Sequence, residues 1–421
     1  MKALTHTKRV QRGDLIAALD IGTSKVCCAI GIGDTKEGSG LKLIGLGQQS
    51  SRGLKSGTIT DMDALEDSIL NAVHTAEQNA ERTIGSLYVS LPASFIESDI
   101  VDVEVSLGTE AINTEHLRHL LTLGKHAHEL KNAQIIHALP ILYGLDNQEG
   151  IRDPKGMFGH TLRAQIHILS APHSILKNIA ACVGRCHLSV NGFVVSSYAS
   201  GLATLVDDEL ELGVTVIDVG GGTTTIASFL NGSLVYLSSI PLGGQHITGD
   251  IARGLSTPLS QAERLKTLYG SVFPITVDDR EHIIVPQLGD DPSSTAHQVP
   301  KSLFIRIIKA RVEEIFELVW KNMERSTIAD LLNQRIVLTG GASQLPGLSE
   351  FLSHGWKRPI RVGSPIGFQS SHELTRSPSF STCAGLLHYA YRDERSREVA
   401  LLPQQHGHFW QRFIGWFKGN F

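Results

Sequence analysis

Two segments far apart in the chain share one form: a β-branched strand, an aspartate, a glycine-containing turn and a second strand. They read LIAALDIGTSKVCCAIG (residues 15–31) and VTVIDVGGGTTTIASF (residues 214–229). Their aspartates, Asp20 and Asp218, lie about 200 residues apart. This repeat predicts a duplicated domain, and it constrains the fold more than any other feature of the sequence.

The turns of both segments have the composition of a phosphate-binding site. Glycine has no Cβ, so successive backbone amides can approach phosphate oxygens, and neighbouring hydroxyl and ammonium groups add donors. The candidate phosphate-binding residues are Gly22, Thr23, Ser24, Lys25, Gly220, Gly221, Gly222 and Thr223. Asp20 and Asp218 are placed to hold a hydrated Mg²⁺ through water, and they are the candidate catalytic residues. Two ordinary β-hairpins with glycine turns are the alternative.

A third glycine loop follows a buried strand in RIVLTGGASQLPGLSEFL, residues 335–352. Gly340 and Gly341, followed by Ala342, let the backbone lie flat against a planar ligand such as a purine, and a helix is predicted from Leu348. A plain strand-to-helix loop is the alternative, because paired glycines commonly end regular structure.

Glu263 and Lys266 lie in the predicted helix of STPLSQAERLKTLYG. Glu263 is three residues after Ser260, which is capping-box spacing. Both side chains can instead reach ribose hydroxyls from the first turns of the helix. The sequence leaves the two interpretations open.

The ordered set of three loops resembles the actin, heat-shock chaperone and sugar kinase ATPase superfamily. Within it, the chain resembles the FtsA family of actin-like bacterial cell-division proteins over nearly its full length, through SRGLKSGTI (51–59), YVSLPASFI (88–96), PLGGQHITGDIA (241–252) and STCAGLLHYA (381–390). The resemblance implies an α/β protein with an actin-like, two-lobed, duplicated ATPase fold and with ATP and Mg²⁺ as ligands. It also implies a small family-specific subdomain inserted in the first lobe and a C-terminal amphipathic helix.

The same resemblance gives an expected division of the chain. The first lobe is expected at 12–85 and 165–200, with a return at 361–391, and the inserted subdomain at 86–164. The second lobe is expected to have its core at 201–229 and 302–360 and its outer subdomain at 230–301. A flexible tether (392–408) and an amphipathic helix (409–421) complete the chain.

The same resemblance implies a function in cell division. FtsA-like proteins polymerise on the cytoplasmic face of the inner membrane at the division site, anchor FtsZ filaments there and help to recruit other division proteins. The C-terminal peptide of FtsZ is expected on the outer subdomain of the second lobe. Arg306 and Arg311, on the helix that follows, can pair with an acidic peptide. Alternatively, they only solubilise an amphipathic helix.

Thr225 departs from the pattern that the resemblance implies, because relatives commonly have an acidic residue at this position. An acid there could help to hold Mg²⁺ or the attacking water. We therefore expect ATP binding with at most slow hydrolysis, and enzymatic activity as such stays undecided.

The C-terminal segment FWQRFIGWFKGNF has one apolar face when it is drawn as a helix. The apolar residues fall within an arc of about 160°. They are Phe409, Trp410, Phe413, Ile414, Trp416, Phe417 and Phe421. The pattern predicts an interfacial helix that binds anionic lipid, since no run of about 18 apolar residues could span a membrane. Packing on the protein's own core or on a second copy is the alternative.

Charge and cysteine content argue against several other classes of protein. With 38 basic and 42 acidic residues, the chain lacks the basic excess typical of a nucleic-acid binder. Five cysteines without framework spacing indicate a reduced, cytoplasmic protein. A small-molecule kinase of the same superfamily is the main functional alternative, but it has no use for a membrane tail. A chaperone would need a peptide-binding domain after the ATPase.

Overall fold

The structure is a computed structural model that describes residues 15–34, 40–128, 132–273, 280–289, 297–326, 335–370 and 372–399. The strands are β1 (Leu15–Ile21), β2 (Lys25–Asp34), β3 (Gly40–Ser50), β4 (Leu54–Lys55), β5 (Thr58–Ile59), β6 (Ser86–Leu91), β7 (Glu97–Ser106), β8 (Ala133–Leu145), β9 (Gln148–Ile151), β10 (Thr161–Pro172), β11 (Ser189–Val195), β12 (Val214–Val219), β13 (Thr224–Leu230), β14 (Ser233–Ile240), β15 (His282–Val285), β16 (His297–Pro300), β17 (Ile336–Thr339), β18 (Ile360–Val362) and β19 (Phe368–Gln369). The α-helices are α1 (Met62–Ala80), α2 (Thr114–Ala127), α3 (His173–Arg185), α4 (Ser196–Thr204), α5 (Asp207–Leu212), α6 (Gly244–Gly254), α7 (Leu259–Tyr269), α8 (Lys301–Glu324), α9 (Leu348–Trp356) and α10 (Ser381–Val399).

Two large sheets repeat the same topology. The first has the order β11-β6-β1-β2-β3-β19, and the second has the order β14-β13-β12-β17-β18. In each, three consecutive strands pair antiparallel, and the first of them also pairs with a parallel strand that follows a crossover. The order β3-β2-β1-β6-β11 of the first sheet matches the whole second sheet strand for strand. The duplicated, two-lobed α/β fold expected from the sequence is confirmed.

The two strands that lead into the glycine turns occupy equivalent central places. Nearly every residue of β1 and β12 is buried, as expected for strands covered on both faces. Asp20 and Asp218 interrupt these buried runs, because each is partly exposed and next to last in its strand. The duplicated topology therefore brings both carboxylates to the same edge of their sheets.

Helices α4 and α10 pack on each other between the lobes. Helix α4 follows β11 of the first sheet and leads towards β12 of the second, while α10 brings the chain back to the first lobe. The flexible tether was expected from residue 392, but α10 continues to Val399. Asp393 is buried and accepts a hydrogen bond of 2.5 Å from the Tyr88 hydroxyl, so the helix is still packed on the first lobe beyond residue 391.

The inserted subdomain is a four-stranded sheet, β7-β10-β8-β9, with α2 packed on it. It has its own apolar core, centred on Leu120, Leu162 and Ile166. Three expected boundaries differ from the elements. Strand β6 belongs to the first large sheet and not to the insert, β10 runs on to Pro172, and β14 lies in the core sheet of the second lobe rather than in its outer subdomain.

The insert also contacts the second lobe. Nδ1 of the buried His167 on β10 lies 2.8 Å from the Leu234 carbonyl oxygen on β14. The Ser233 hydroxyl donates to the Pro140 carbonyl oxygen at 2.9 Å. Arg152, after β9, pairs with Glu211 at the end of α5. The insert thus bridges the two lobes.

Candidate functional site

A cavity of about 920 Å³ lies between the two lobes. Every residue predicted to contact nucleotide or Mg²⁺ lines it: Asp20, Gly22, Thr23, Ser24, Lys25, Asp218, Gly220, Gly221, Gly222, Thr223, Glu263, Lys266, Gly340, Gly341 and Ala342. The structure therefore brings four segments from distant parts of the chain to one place: the three glycine loops and helix α7.

The two glycine turns face each other across the cleft at close range. A Cβ on Gly222 would lie 2.7 Å from the Thr23 hydroxyl oxygen, and one on Gly221 would lie 2.9 Å from the Ser24 hydroxyl oxygen. Only glycine fits at these two positions without displacing the facing turn. The two turns together form a narrow cradle lined by backbone amides and hydroxyl groups.

The second turn is held from behind by the start of α6. The amide of Gly244 donates to the Gly220 carbonyl oxygen at 2.9 Å, and the amide of Gln245 donates to the Gly221 carbonyl oxygen at 2.8 Å. These bonds use amides that would otherwise have no partner in the first turn of the helix. They fix the conformation of the turn and leave its opposite side open to the cavity.

Asp20 and Asp218 form the floor of the cavity. Burial raises the pKa of Asp20 to about 6, opposed by a hydrogen bond from Ser90 and by the charge of Lys25, while the negative charge of Asp218 raises it further. Burial also raises the pKa of Asp218, opposed by hydrogen bonds from Ser200 and Thr382. Burial makes the ionised form of both carboxylates unfavourable. A hydrated divalent cation bound between them would offset this cost, so the pair fits a metal site.

Lys25 places a positive charge beside this floor. Its ammonium group donates to the Ser379 hydroxyl at 3.0 Å and reaches the Gln48 side-chain oxygen at 3.5 Å. It lies at the start of β2, directly after the first turn. An ammonium group in this position fits the phosphate chain of a nucleotide.

The third loop closes the other side of the cavity. Gly340 has φ +85°, and a Cβ there would lie 2.2 Å from Oδ1 of Asp218. At Gly341 the nearest atom to such a Cβ is 3.7 Å away, on Ser379, so this position is open to the cavity. The helix predicted from Leu348 is confirmed.

Glu263 and Lys266 lie on α7, along the wall of the cavity. The capping-box alternative for Glu263 is wrong, because α7 begins at Leu259 and no side chain caps it. The Lys266 ammonium group donates to Glu263 at 2.7 Å, to the Thr248 hydroxyl at 2.9 Å and to the Gly244 carbonyl oxygen at 3.1 Å. Contacts of either side chain with ribose stay a prediction.

Sequence reasoning did not find several polar residues that also line the cavity. They are Gln48, Ser90, Gln245, Ser379 and Thr382. None belongs to a glycine loop, and each reaches the cavity through tertiary packing. Thr382 is the second residue of STCAGLLHYA, which the sequence marked only as a family-like segment.

The two arginines predicted to bind the FtsZ peptide lie on different sides of α8. Arg306 is exposed and forms no ion pair with the part of the chain that the structure describes. Arg311 is 19% exposed and pairs with Asp250 on α6 and, at 2.6 Å, with Glu314. The hydrogen bond to Asp250 raises the pKa of Arg311. Arg311 is therefore already paired within the protein.

The predicted membrane segment, residues 409–421, lies outside the described residues, as do residues 400–408 of the expected tether. Among the helices that the structure describes, none is both long enough and apolar enough to cross a membrane.

Comparison with known proteins decides the family. The family model "Cell division protein FtsA" matches residues 215–385, and the model "SHS2 domain inserted in FTSA" matches residues 94–170. Cell division protein FtsA of Rhizobium meliloti (strain 1021) is 43% identical over 387 residues, covering 90% of this chain and 88% of that protein. The chain belongs to the FtsA family. FtsA of Pseudomonas aeruginosa is 33% identical and covers 98% of this chain and 99% of that protein.

Solved structures support the actin-like fold. The PilM-PilN type IV pilus biogenesis complex matches with a TM-score of 0.64 at 16% identity, covering 89% of this chain and 98% of that chain. MreB5 of Spiroplasma citri bound to ADP matches with a TM-score of 0.55 at 14% identity, covering 92% of this chain and 99% of that chain. The FtsA-family chain is thus an actin-like cell-division protein, and the small-molecule kinase and chaperone alternatives find no support.

Proposed function

We propose that this FtsA-family chain binds ATP with Mg²⁺ in the interlobe cleft, polymerises on the cytoplasmic face of the inner membrane and anchors FtsZ filaments there. It also helps to recruit other division proteins. One observation carries the nucleotide part of this proposal: three glycine loops converge on a cavity whose floor holds two carboxylates. The fold match to MreB5 bound to ADP is consistent with it.

Each part of the cavity has a proposed role. Asp20 and Asp218 hold hydrated Mg²⁺, which neutralises phosphate charge when it is bound. The phosphates contact the residues of the first two turns, namely Gly22, Thr23, Ser24, Lys25, Gly220, Gly221, Gly222 and Thr223. The adenosine contacts the far end of the cavity, formed by Glu263, Lys266, Gly340, Gly341 and Ala342.

Gly341→Trp tests the adenosine assignment. Because position 341 is open to the cavity, the indole ring can fill the ligand space without a backbone clash, and we expect loss of ATP binding. Gly355→Trp is the matched control, since Gly355 lies in α9 and a Cβ there would have no described atom within 4 Å apart from its chain neighbours and the backbone of its own helix. Both variants are compared by equilibrium titration with ATP. An unchanged affinity in Gly341→Trp would reject the adenosine assignment.

Hydrolysis is proposed to be slow. Thr225 pairs with Asp218 across β12 and β13 and lines the cavity, so a hydroxyl group is present where an acid would assist the attacking water. We expect steady-state turnover below the ~1 s⁻¹ low end of typical enzymes. Phosphate release by the isolated protein measures it, and a brisk rate would contradict the argument.

The FtsZ peptide is proposed to bind on the outer surface of the second lobe. Apolar side chains are exposed on and near α7, β15 and α8: Leu268, Tyr269, Phe273, Ile284 and Leu303. Arg306 is exposed on α8. Leu303 lies one helical turn before Arg306, and an exposed apolar group next to an exposed cation fits a short peptide with both apolar and acidic side chains.

Membrane attachment is proposed to use residues 409–421, which follow α10 after a short segment. A helix with one aromatic face and with Arg412 and Lys418 on the other binds an anionic surface peripherally. Sedimentation with liposomes and with FtsZ, compared with phosphate transfer to a sugar, separates this function from that of a kinase.

A further inference from the structure

The carboxylate of Asp218 is held by two hydroxyl groups that come from different helices. The Ser200 hydroxyl on α4 donates to Oδ2 of Asp218 at 2.6 Å. The Thr382 hydroxyl on α10 lies 3.4 Å from the same oxygen. The two hydroxyl oxygens are 3.0 Å apart, so the three groups form one cluster.

This cluster lies where the lobes meet. Ser200 is fully buried on the helix that leads from the first lobe to the second, and Thr382 lies in the first turn of the helix that returns. Asp218 belongs to the central strand of the second lobe. The orientation of this carboxylate is therefore set from both interlobe helices, not from its own sheet.

The hydrogen-bond count leaves one carboxylate oxygen available. Ser200 has a single hydroxyl proton, which the 2.6 Å distance assigns to Oδ2 of Asp218. Thr382 can then donate either to the Ser200 oxygen or to Oδ2. Oδ1 accepts no hydrogen bond from the part of the chain that the structure describes, and it lies beside Gly340, where there is no Cβ to cover it.

We propose that Ser200 and Thr382 are positioning residues for the metal site: they hold Oδ2 of Asp218 so that Oδ1 serves the hydrated Mg²⁺ of the bound nucleotide. The inference rests on the proposed ATP binding. Hydrogen bonds behind a metal-binding carboxylate typically affect metal affinity about 10-fold to 100-fold when they are removed.

A purely structural role makes a different prediction. If the hydroxyl cluster only joined α4 to α10, removing it would lower thermal stability and would weaken ATP binding equally with and without Mg²⁺. A positioning role predicts loss of only the part of the affinity that Mg²⁺ provides. The ratio of ATP affinities measured in Mg²⁺ and in EDTA separates the two.

The experiment measures binding of a fluorescent ATP analogue to the full chain, in Mg²⁺ and in EDTA. The test variants are Ser200→Ala, Thr382→Val and the double variant. Thr382→Ser keeps the hydroxyl group and should restore binding. Ser197→Ala is the matched control, because Ser197 is also fully buried on α4 but its hydroxyl has no partner among the described residues.

We expect the gain in ATP affinity that Mg²⁺ provides to be at least about tenfold smaller in the double variant than in the wild type. The affinity in EDTA should be unchanged. Thr382→Ser and Ser197→Ala should keep the gain. If the double variant keeps it as well while the wild type shows it, the inference is overturned and ATP binding stands. If the wild type binds no ATP, or shows no gain with Mg²⁺, the inference and the proposed function both fail.

Folding of the variants does not limit the test. Thr382 is only partly buried and lines the cavity, so Thr382→Val changes one hydroxyl for a methyl group at an accessible site. If the double variant does not fold, Thr382→Val decides alone. An equal loss of affinity in Mg²⁺ and in EDTA would overturn the positioning role.

Discussion

Gly385 on α10 lies against Ala199 on α4 with no room for a side chain between them. A Cβ at position 385 would lie 1.7 Å from the Ala199 carbonyl oxygen and 2.3 Å from its carbonyl carbon. Gly385→Ala must therefore push the two interlobe helices apart. We expect a loss of about 1–3 kcal/mol in the free energy of unfolding, measured by urea denaturation.

Gly249 provides the control for this substitution. It lies inside α6, and apart from its chain neighbours and the backbone of its own helix no described atom is within 4 Å of the place where a Cβ would be. Gly249→Ala should stabilise the protein by roughly 0.5–1 kcal/mol, since alanine is the better helix former. Equal effects of the two substitutions would contradict the close contact between α4 and α10.

Asp20→Asn should stabilise the protein without nucleotide at neutral pH. The folded-state pKa of about 6 exceeds the ordinary value of 3.8, so above pH 6 the folded state carries the cost of a desolvated carboxylate. That difference corresponds to about 3 kcal/mol at most. The substitution removes the cost and should raise the midpoint of urea unfolding at pH 7.5.

The pH dependence tests the cause of this gain. As pH falls from about 6 towards 3.8, the folded wild type takes up the proton before the unfolded chain does, so its stability deficit disappears. The advantage of Asp20→Asn over the wild type should therefore be smaller at pH 5 than at pH 7.5. A gain that is the same at both pH values would show that the charge is not responsible.

Arg306→Glu should weaken binding of an acidic FtsZ-type peptide without changing thermal stability, because Arg306 is exposed and unpaired among the described residues. Arg311→Glu should lower stability as well, since it breaks the pair with Asp250 on α6. Lys321→Glu, on the same helix and 50% exposed, is the control for charge reversal, and it also breaks the exposed pair of Lys321 with Glu317. Equal peptide affinities for the wild type and the Arg306→Glu, Arg311→Glu double variant would move the site elsewhere.

Trp416→Glu should release the protein from anionic liposomes more completely than Lys418→Gln. Arg412 and Lys418 contribute about 1 kcal/mol each near an anionic surface. Burial of one large apolar side chain contributes about 1.5–3 kcal/mol, and the predicted helix has seven such residues. Moderate salt should thus weaken co-sedimentation but not abolish it. Full co-sedimentation of a chain truncated after His408 would show that the tail is not the anchor.

The local motifs of the sequence were sufficient to predict the duplicated fold and most of the cavity. An aspartate next to a glycine turn can be recognised from a few consecutive residues, as around Asp20 and Asp218. The two copies of this motif imply the repeated sheet. By contrast, Ser200 and Thr382 lie in ordinary helical segments 182 residues apart. Their contact arises only when α4 and α10 pack together.

The extents of some elements could not be predicted for a related reason. The segment RDERSREV is equally typical of a solvated helix and of a tether, and only the burial of Asp393 against Tyr88 favours the helix. Similarly, β6 and β7 are separated by a few residues, and both have strand-forming residues. Their assignment to different sheets depends on strands that are distant in the chain.

The contacts that join the insert to the second lobe have a mechanical consequence for the cleft. His167, Ser233 and Arg152 connect the insert to elements of the second lobe, although the insert is part of the first lobe in sequence. The lobes can separate only if these contacts break or if the insert leaves its place against the first sheet. While these contacts hold, the lobes cannot move apart without moving the insert, so opening of the cleft is coupled to the position of the insert.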